Sequence, residues 1–252
     1  MLKHLPNALT LLNLFCGAIA VIFAVQNQFA AAALFVFLGI FFDFFDGFAA
    51  RLLKVQSELG LQLDSLADMV TSGLVPGIVM FKLLALTTNT DGHSIDDSWN
   101  TMLDFQHLDY SLVPLIGLLI TLASAYRLAK FNIDDEQQTY FKGLPTPANT
   151  LMIVSLPVIL EFQNTELISR IILNPWFLIG LTLLSCYLLN SHIKLFALKF
   201  KTWDFKPNAM RYSFIALSLV LVMVLQFVAI PLVILLYISL SLVDTYVLRS
   251  EN

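Results

Sequence analysis

Charge is scarce in this sequence. Of 252 residues only 13% are Asp, Glu, Lys or Arg, while 58% are hydrophobic; a soluble globular domain carries roughly 25% charge. That shortage excludes an ordinary water-exposed surface. Basic runs are also missing and the net charge is −4, which leaves no electrostatic footprint for nucleic acid. Cysteine is limited to Cys16 and Cys186, both inside apolar stretches and without metal-type spacing, so neither a disulfide framework nor a zinc site is expected. The N-terminus opens basic and turns apolar as a secretory signal does. It lacks an A-x-A-like cleavage site leading into a soluble region, and reads instead as a first transmembrane helix. Internal repeats are not evident, and the one low-complexity stretch is the alanine run Ala30 to Ala33.

What the sequence has in abundance is long apolar windows, and about 20 such residues span a bilayer. Windows near 8–26, 29–53, 61–86, 110–131, 145–162, 171–190, 212–227 and 229–248 predict an all-α, polytopic transmembrane bundle of about eight helices. We read residues 1–252 as one integral membrane domain. The second window ends in charge and extends past the membrane surface, and the last two form a tight hairpin. With the N-terminus cytoplasmic, the inner side receives Lys3, Arg51, Lys54, Arg127, Lys130, Lys142, Lys194, Lys199, Lys201, Lys206, Arg211 and Arg249, twelve of the fourteen basic residues. Only Lys82 and Arg170 fall toward the other side. The long loop near 87–109 carries Asp91, Asp96, Asp97, Asp104 and Asp109 and no basic residue. The positive-inside rule therefore places both termini in the cytoplasm.

Four aspartates stand at the inner ends of two consecutive helices: Asp43 and Asp46 late in the second, Asp64 and Asp68 early in the third. An aspartate near a transmembrane helix centre costs about 2.5 to 3.5 kcal/mol, and less near the interface. Residues three or four apart share a helix face, so two antiparallel helices bring all four carboxylates together. Arg51 and Lys54 are the only basic residues near in sequence, too few to neutralise them. A bound divalent cation answers this, and an all-oxygen ligand set favours magnesium or manganese, with calcium compatible by ligand type. Gly47 and Gly60 are positions where a phosphate or nucleotide can approach the backbone. Arg51, one turn beyond Gly47, can grip a phosphate bidentately. Metal-assisted phosphoryl transfer fits better than a cation or proton path, whose acids would stand nearer the bilayer midplane.

These residues spell D-x-x-D-G-x-x-A-R, eight further residues, then G-x-x-x-D-x-x-x-D: Asp43, Asp46, Gly47, Ala50, Arg51, Gly60, Asp64 and Asp68. The pattern resembles the motif of the CDP-alcohol phosphotransferase family. Three further segments are similar to its membrane-embedded, phosphatidylserine-forming branch: Leu5 to Gly17, Gln56 to Gly77, and Arg127 to Asn132 with Gly143 to Pro147. The resemblance implies a cytoplasm-facing cavity that binds CDP-diacylglycerol through two divalent ions, Mg2+ or Mn2+. It implies Asp43, Asp46, Asp64 and Asp68 as metal ligands, with Asp68 also the catalytic base. Gly47, Ala50, Arg51 and Ser57 would line the CDP-diacylglycerol site. The implied reaction joins L-serine to the phosphatidyl group by direct attack and releases CMP, and a homodimer is implied as well. Sister enzymes acting on glycerol 3-phosphate or inositol phosphate share parts of these segments. From a different class, a divalent-cation transporter could use the same aspartates.

Serine brings a carboxylate, so its pocket needs a cation facing the aspartates. Arg127 is the first candidate, because a planar guanidinium suits carboxylate recognition, and Lys130 and Asn132 follow on the same segment. Their competing role is positive-inside contact with lipid phosphates. A covalent route through H-x-K-x4-D fails, since His192 and Lys194 are followed by Lys199 where Asp is required. Asn7 and Asn13 read as a helix cap and an interhelical bond. Gly73, Pro76 and Gly77 read as close packing with a kink. The strip Lys194 to Arg211 reads as a cytoplasmic segment against anionic headgroups.

Overall fold

The computed structural model describes residues 4–88, 112–133, 141–195 and 205–244. Most of the acidic loop near 87–109 and both chain ends lie outside them. Helix α1 (Leu5–Val25) carries Pro6 in its first turn, where the missing N–H costs no intrahelical bond. Helix α2 (Phe29–Leu53) packs antiparallel to it, and Phe23 stacks on Phe35 across the turn with centroids 5.6 Å apart. At the other end Lys54 adopts a left-handed backbone, φ 56°, and caps α2. The chain then turns to Ser57, whose hydroxyl accepts from the Gly60 N–H at 3.1 Å and starts α3 (Glu58–Asp68).

Helix α3 continues through a π-helical segment, Met69–Leu74, into α4 (Val75–Thr88). Pro76 explains the disturbance. It has no N–H for the Ser72 carbonyl four residues back, and the Thr150 hydroxyl supplies the missing donor at 2.8 Å. Thr121 likewise donates to the Gly73 carbonyl at 3.1 Å. The expected kink at Gly73, Pro76 and Gly77 is thus a π segment pinned from two neighbouring helices.

After the acidic loop, a 3-10 turn (Val113–Leu118) leads into α5 (Leu119–Ile133). Helix α6 (Thr146–Phe162) is followed by the bent pair α7 (Glu166–Ile172) and α8 (Pro175–Asn190), whose axes differ by 58°. Helices α9 (Phe205–Leu225) and α10 (Ala229–Val243) are joined by a 3-10 turn. They form the expected hairpin rather than one rod: Phe214 and Tyr237 have ring centroids 5.6 Å apart, whereas 23 residues of straight helix would separate them by about 35 Å. Gln163 fastens the turn by accepting from the Val228 N–H at 3.0 Å.

Each expected span corresponds to a helical segment, and several are long and apolar enough to cross a membrane, so this is a multi-pass integral membrane protein. Two details differ from the expectation. Phe205 to Arg211, assigned to the surface strip, form the first turns of α9, and Asn208 there is buried. A two-residue antiparallel pairing, β1 (Phe141–Lys142) with β2 (Lys194–Leu195), also interrupts the all-helical pattern.

Helices α4 and α6 are the centre of the bundle. In the apolar window of Glu58–Thr88, 72% of residues are buried, against 11% for Asn208–Val243. Val75, Val79, Met80, Leu83 and Leu84 meet Met152, Ile153 and Leu156 in a single core. A helix that is apolar all round belongs inside, whereas the α9–α10 hairpin presents Val220, Met223 and Val224 outward, as a lipid-facing surface does.

Candidate functional site

Asp43 and Asp46 lie three apart on α2, and Asp64 lies on the facing turn of α3. The αL cap at Lys54 and the Ser57 cap fold the two helices so that one carboxylate oxygen from each of the three falls within 4.8 Å of the others. Like charges this close repel by about 3 kcal/mol per pair at an effective dielectric of 20. Such a donor set fits a hard divalent ion: three carboxylates, oxygen only, near the roughly 3 to 4 Å spacing that six-coordinate ligands of Mg2+ require. Asp68 is not in this group. It stands one turn further along α3, where Asn13 Nδ2 donates to its Oδ1 at 3.2 Å.

The acidic group opens into a cavity of about 440 Å³. Its walls include Asp46 and Asp64 together with Gly47, Ala50, Arg51 and Ser57, all four of the residues expected at the nucleotide-lipid site. A Cβ built on Gly47 would lie 3.4 Å from Arg51 Nη1, so the guanidinium folds over a bare stretch of α2 backbone. An incoming phosphate would meet both. Ser57 has a second occupation as the α3 cap, which fixes the wall it belongs to.

Helix α1 supplies residues that the motif does not contain. Pro6, Asn7 and Thr10 line the same cavity, and Thr10 Oγ1 lies 2.5 Å from Asp46 Oδ2. Gly60 needs its missing side chain here, since a Cβ would sit 3.3 Å from Asn7 Oδ1. Asn7, Thr10 and Asn13 recur at three-residue spacing in an otherwise apolar helix. That polar stripe is the sequence signal for a wall of the cavity, beyond the cap and interhelical bond expected of Asn7 and Asn13.

Arg127 and Lys130 do not line the acidic cavity. They belong to a second, smaller one of about 60 Å³, with Phe131, Lys142, Leu189, Asn190, Ser191 and His192. Arg127 is buried and its Nη1 donates to the carbonyls of Leu189 at 2.7 Å and Lys142 at 3.1 Å. It therefore joins α5 to the segment before α6 and to the end of α8. Gly143 makes this junction possible: its φ is +74°, and a Cβ would lie 2.7 Å from the Leu189 carbonyl and 3.0 Å from Arg127 Nη1. Asn132, the third candidate, instead bonds Ser65 on α3, donating from Nδ2 at 2.9 Å, and so ties α5 to the helix that carries Asp64 and Asp68.

Comparison with known proteins adds three findings. A family model of the CDP-alcohol phosphatidyltransferases matches residues 3–187. A CDP-diacylglycerol-serine O-phosphatidyltransferase of Bacillus subtilis is 31% identical over 159 residues, which are 62% of this chain and 76% of that protein. Proteins of the same name are 30% identical over 162 residues in Mycobacterium tuberculosis and 29% over 169 in Saccharomyces cerevisiae. The aligned part covers 62% and 61% of this chain, and 49% and 53% of those two proteins, about half their length.

Proposed function

Since the chain belongs to the CDP-alcohol phosphatidyltransferase family, we propose that it transfers the phosphatidyl group of CDP-diacylglycerol to L-serine, giving phosphatidylserine and CMP. One observation carries the reading: of three clustered carboxylates, those of Asp46 and Asp64 line a cavity shared with Gly47, Ala50, Arg51 and Ser57. The names of the relatives support serine as acceptor.

Asp43, Asp46 and Asp64 would hold divalent metal, Mg2+ or Mn2+, with Asp68 completing a two-ion set. When bound, the ions neutralise the diphosphate and stabilise the leaving CMP. Arg51 binds a phosphate oxygen over the bare Gly47 backbone, and the Ser57 cap holds the opposite wall. Asp68 takes the serine hydroxyl proton as the new oxygen–phosphorus bond forms on the lipid-bearing phosphorus. The bond from that phosphorus to CMP breaks in the same displacement, with no covalent enzyme intermediate.

Arg127 receives the serine carboxylate, assisted by Lys130, and the small cavity around them suits a compact anion. That cavity also contains Lys142 and His192 beside Arg127 and Lys130, so several basic side chains lie together. This favours a second reading, a phosphorylated acceptor such as glycerol 3-phosphate or inositol phosphate. We place the site at the cytoplasmic face, from the distribution of basic residues, and take the working unit as a homodimer.

The test is CMP release by the purified chain with CDP-diacylglycerol and Mg2+ or Mn2+, comparing L-serine, glycerol 3-phosphate, inositol phosphate and no acceptor. Serine-dependent release that a chelator abolishes is the expected result. Release with a phosphorylated alcohol alone would replace the acceptor. No release with any alcohol, together with ion flux in proteoliposomes, would replace the reaction with cation transport.

A further inference from the structure

Helix α1 lies outside the aspartate motif, yet two of its side chains hold two of the four carboxylates. Thr10 and Asn13 are three residues apart and therefore on one stripe of the helix, and both are buried, at 3% and 0% exposure. The Thr10 hydroxyl lies 2.5 Å from Asp46 Oδ2 and 3.1 Å from the Pro6 carbonyl. It has one proton, and the shorter, charge-assisted contact to the carboxylate takes it. Asn13 donates from Nδ2 to Asp68 Oδ1 at 3.2 Å. This fixes the amide orientation, because a carboxylate oxygen needs a donor. The Asn13 Oδ1 then faces Gly39 of α2, buried and without a hydrogen-bond partner among the described residues. An unpaired buried oxygen costs about 1 to 3 kcal/mol, so packing stability alone is a poor reason for an asparagine here. A second clamp lies alongside: Thr71, three residues beyond Asp68, donates its hydroxyl to the Asn13 carbonyl at 3.1 Å.

We propose that Thr10 and Asn13 are positioning residues that separate the two tasks of the acidic site. Thr10 sets the Asp46 carboxylate within the metal-binding group. Asn13 holds Oδ1 of Asp68 through one lone pair and leaves the other for the second ion, so that Oδ2 is the oxygen presented to the acceptor hydroxyl. The acceptor proton then passes to Oδ2 while the Asn13 N–H stays on Oδ1, and the electron pair of the broken phosphorus–oxygen bond leaves with CMP. The Asn13 half rests on the reaction proposed above, whereas the Thr10 half requires only that the site binds metal.

The test uses the full chain purified in detergent and compares Thr10→Val with Asn13→Leu, each close in size to the residue it replaces. Mn2+ binding is read by electron paramagnetic resonance and turnover by CMP release. Thr10→Val should weaken Mn2+ binding about 10-fold or more, with recovery in Thr10→Ser. Asn13→Leu should weaken Mn2+ binding less than Thr10→Val does while lowering kcat about 10- to 100-fold at nearly unchanged KM for serine. If Asn13→Leu does not fold, Asn13→Ala deletes the donor without added bulk and carries the same expectation. Parallel loss of both readouts in both variants, or no change in either, overturns the proposal. If the unsubstituted chain binds Mn2+ but turns over no alcohol, the reaction and the Asn13 half fall together, and a Mn2+ loss in Thr10→Val still upholds the Thr10 half.

Discussion

Asp64 and Asp68 are one helical turn apart on the same α-helix, yet they meet different neighbours. Asp64 closes against Asp43 and Asp46, whereas Asp68 is held by an amide from α1. The two should therefore respond differently to the same change. Asp64→Asn removes an anionic ligand from the three-carboxylate group, and Mn2+ affinity should fall about 10-fold or more; resonance titration measures it. Asp68→Asn removes the proposed proton acceptor. CMP release should drop at least about 100-fold, within the range for a lost general base, while binding of CDP-diacylglycerol is largely kept. Unchanged turnover would take the base role away from Asp68. Arg127→Ala should raise the KM for serine more than it alters the affinity for CDP-diacylglycerol, and the reverse pattern would move Arg127 to the lipid site. Because Arg127 also bonds two backbone carbonyls, the same change should lower the thermal midpoint. Those unpaired carbonyls cost roughly 1 to 3 kcal/mol.

At the scale of elements, close helix approach is built on small residues. A Cβ on Gly117 would lie 2.5 Å from the Phe81 backbone nitrogen and 2.9 Å from neighbouring backbone atoms, which no rotamer change can relieve. Gly17 and Gly77 would drive a Cβ into the Thr71 and Thr121 hydroxyls. Gly117→Ala should therefore destabilise by about 1 to 3 kcal/mol, the usual cost of overpacking, and lower the unfolding midpoint in detergent. A variant as stable as the parent would show that the contact between α4 and the 3-10 turn before α5 can open. Gly17→Ala should also reduce turnover, since Thr71 is the clamp three residues beyond Asp68. The π segment has a comparable local cause: Pro76 withholds a donor and threonines on α5 and α6 restore the bonding. Helix irregularity and interhelical register are settled together at that point.

For the molecule as a whole, the acidic cavity, the Arg127 cavity and the β1–β2 pairing all gather at the helix ends that the basic residues assign to the cytoplasm. The prediction at this scale is topological. A membrane-impermeant maleimide applied to sealed cells should label Asp96→Cys, while Lys3→Cys and Ser250→Cys should react only after permeabilisation. The opposite pattern would invert the assigned orientation. The native thiols interfere little, since Cys16 is buried and Cys186 half-buried.

The sequence by itself determined the architecture and the acidic chemistry. Apolar windows of bilayer length and paired aspartates at i,i+3 and i,i+4 are local properties, and a helix converts them directly into spans and faces. The charge asymmetry belongs to the same class. Tertiary structure alone decided that three carboxylates meet within 4.8 Å while Asp68, one turn on, is held by Asn13, because that depends on how α1, α2 and α3 cross. It also decided that Arg127 faces its own cavity rather than the acidic one. Helical spacing says which side chains share a face, but the rotation of each helix against its neighbours follows from packing. In this bundle packing rests on glycines, threonine hydroxyls and one proline-induced π segment that act across long sequence separations.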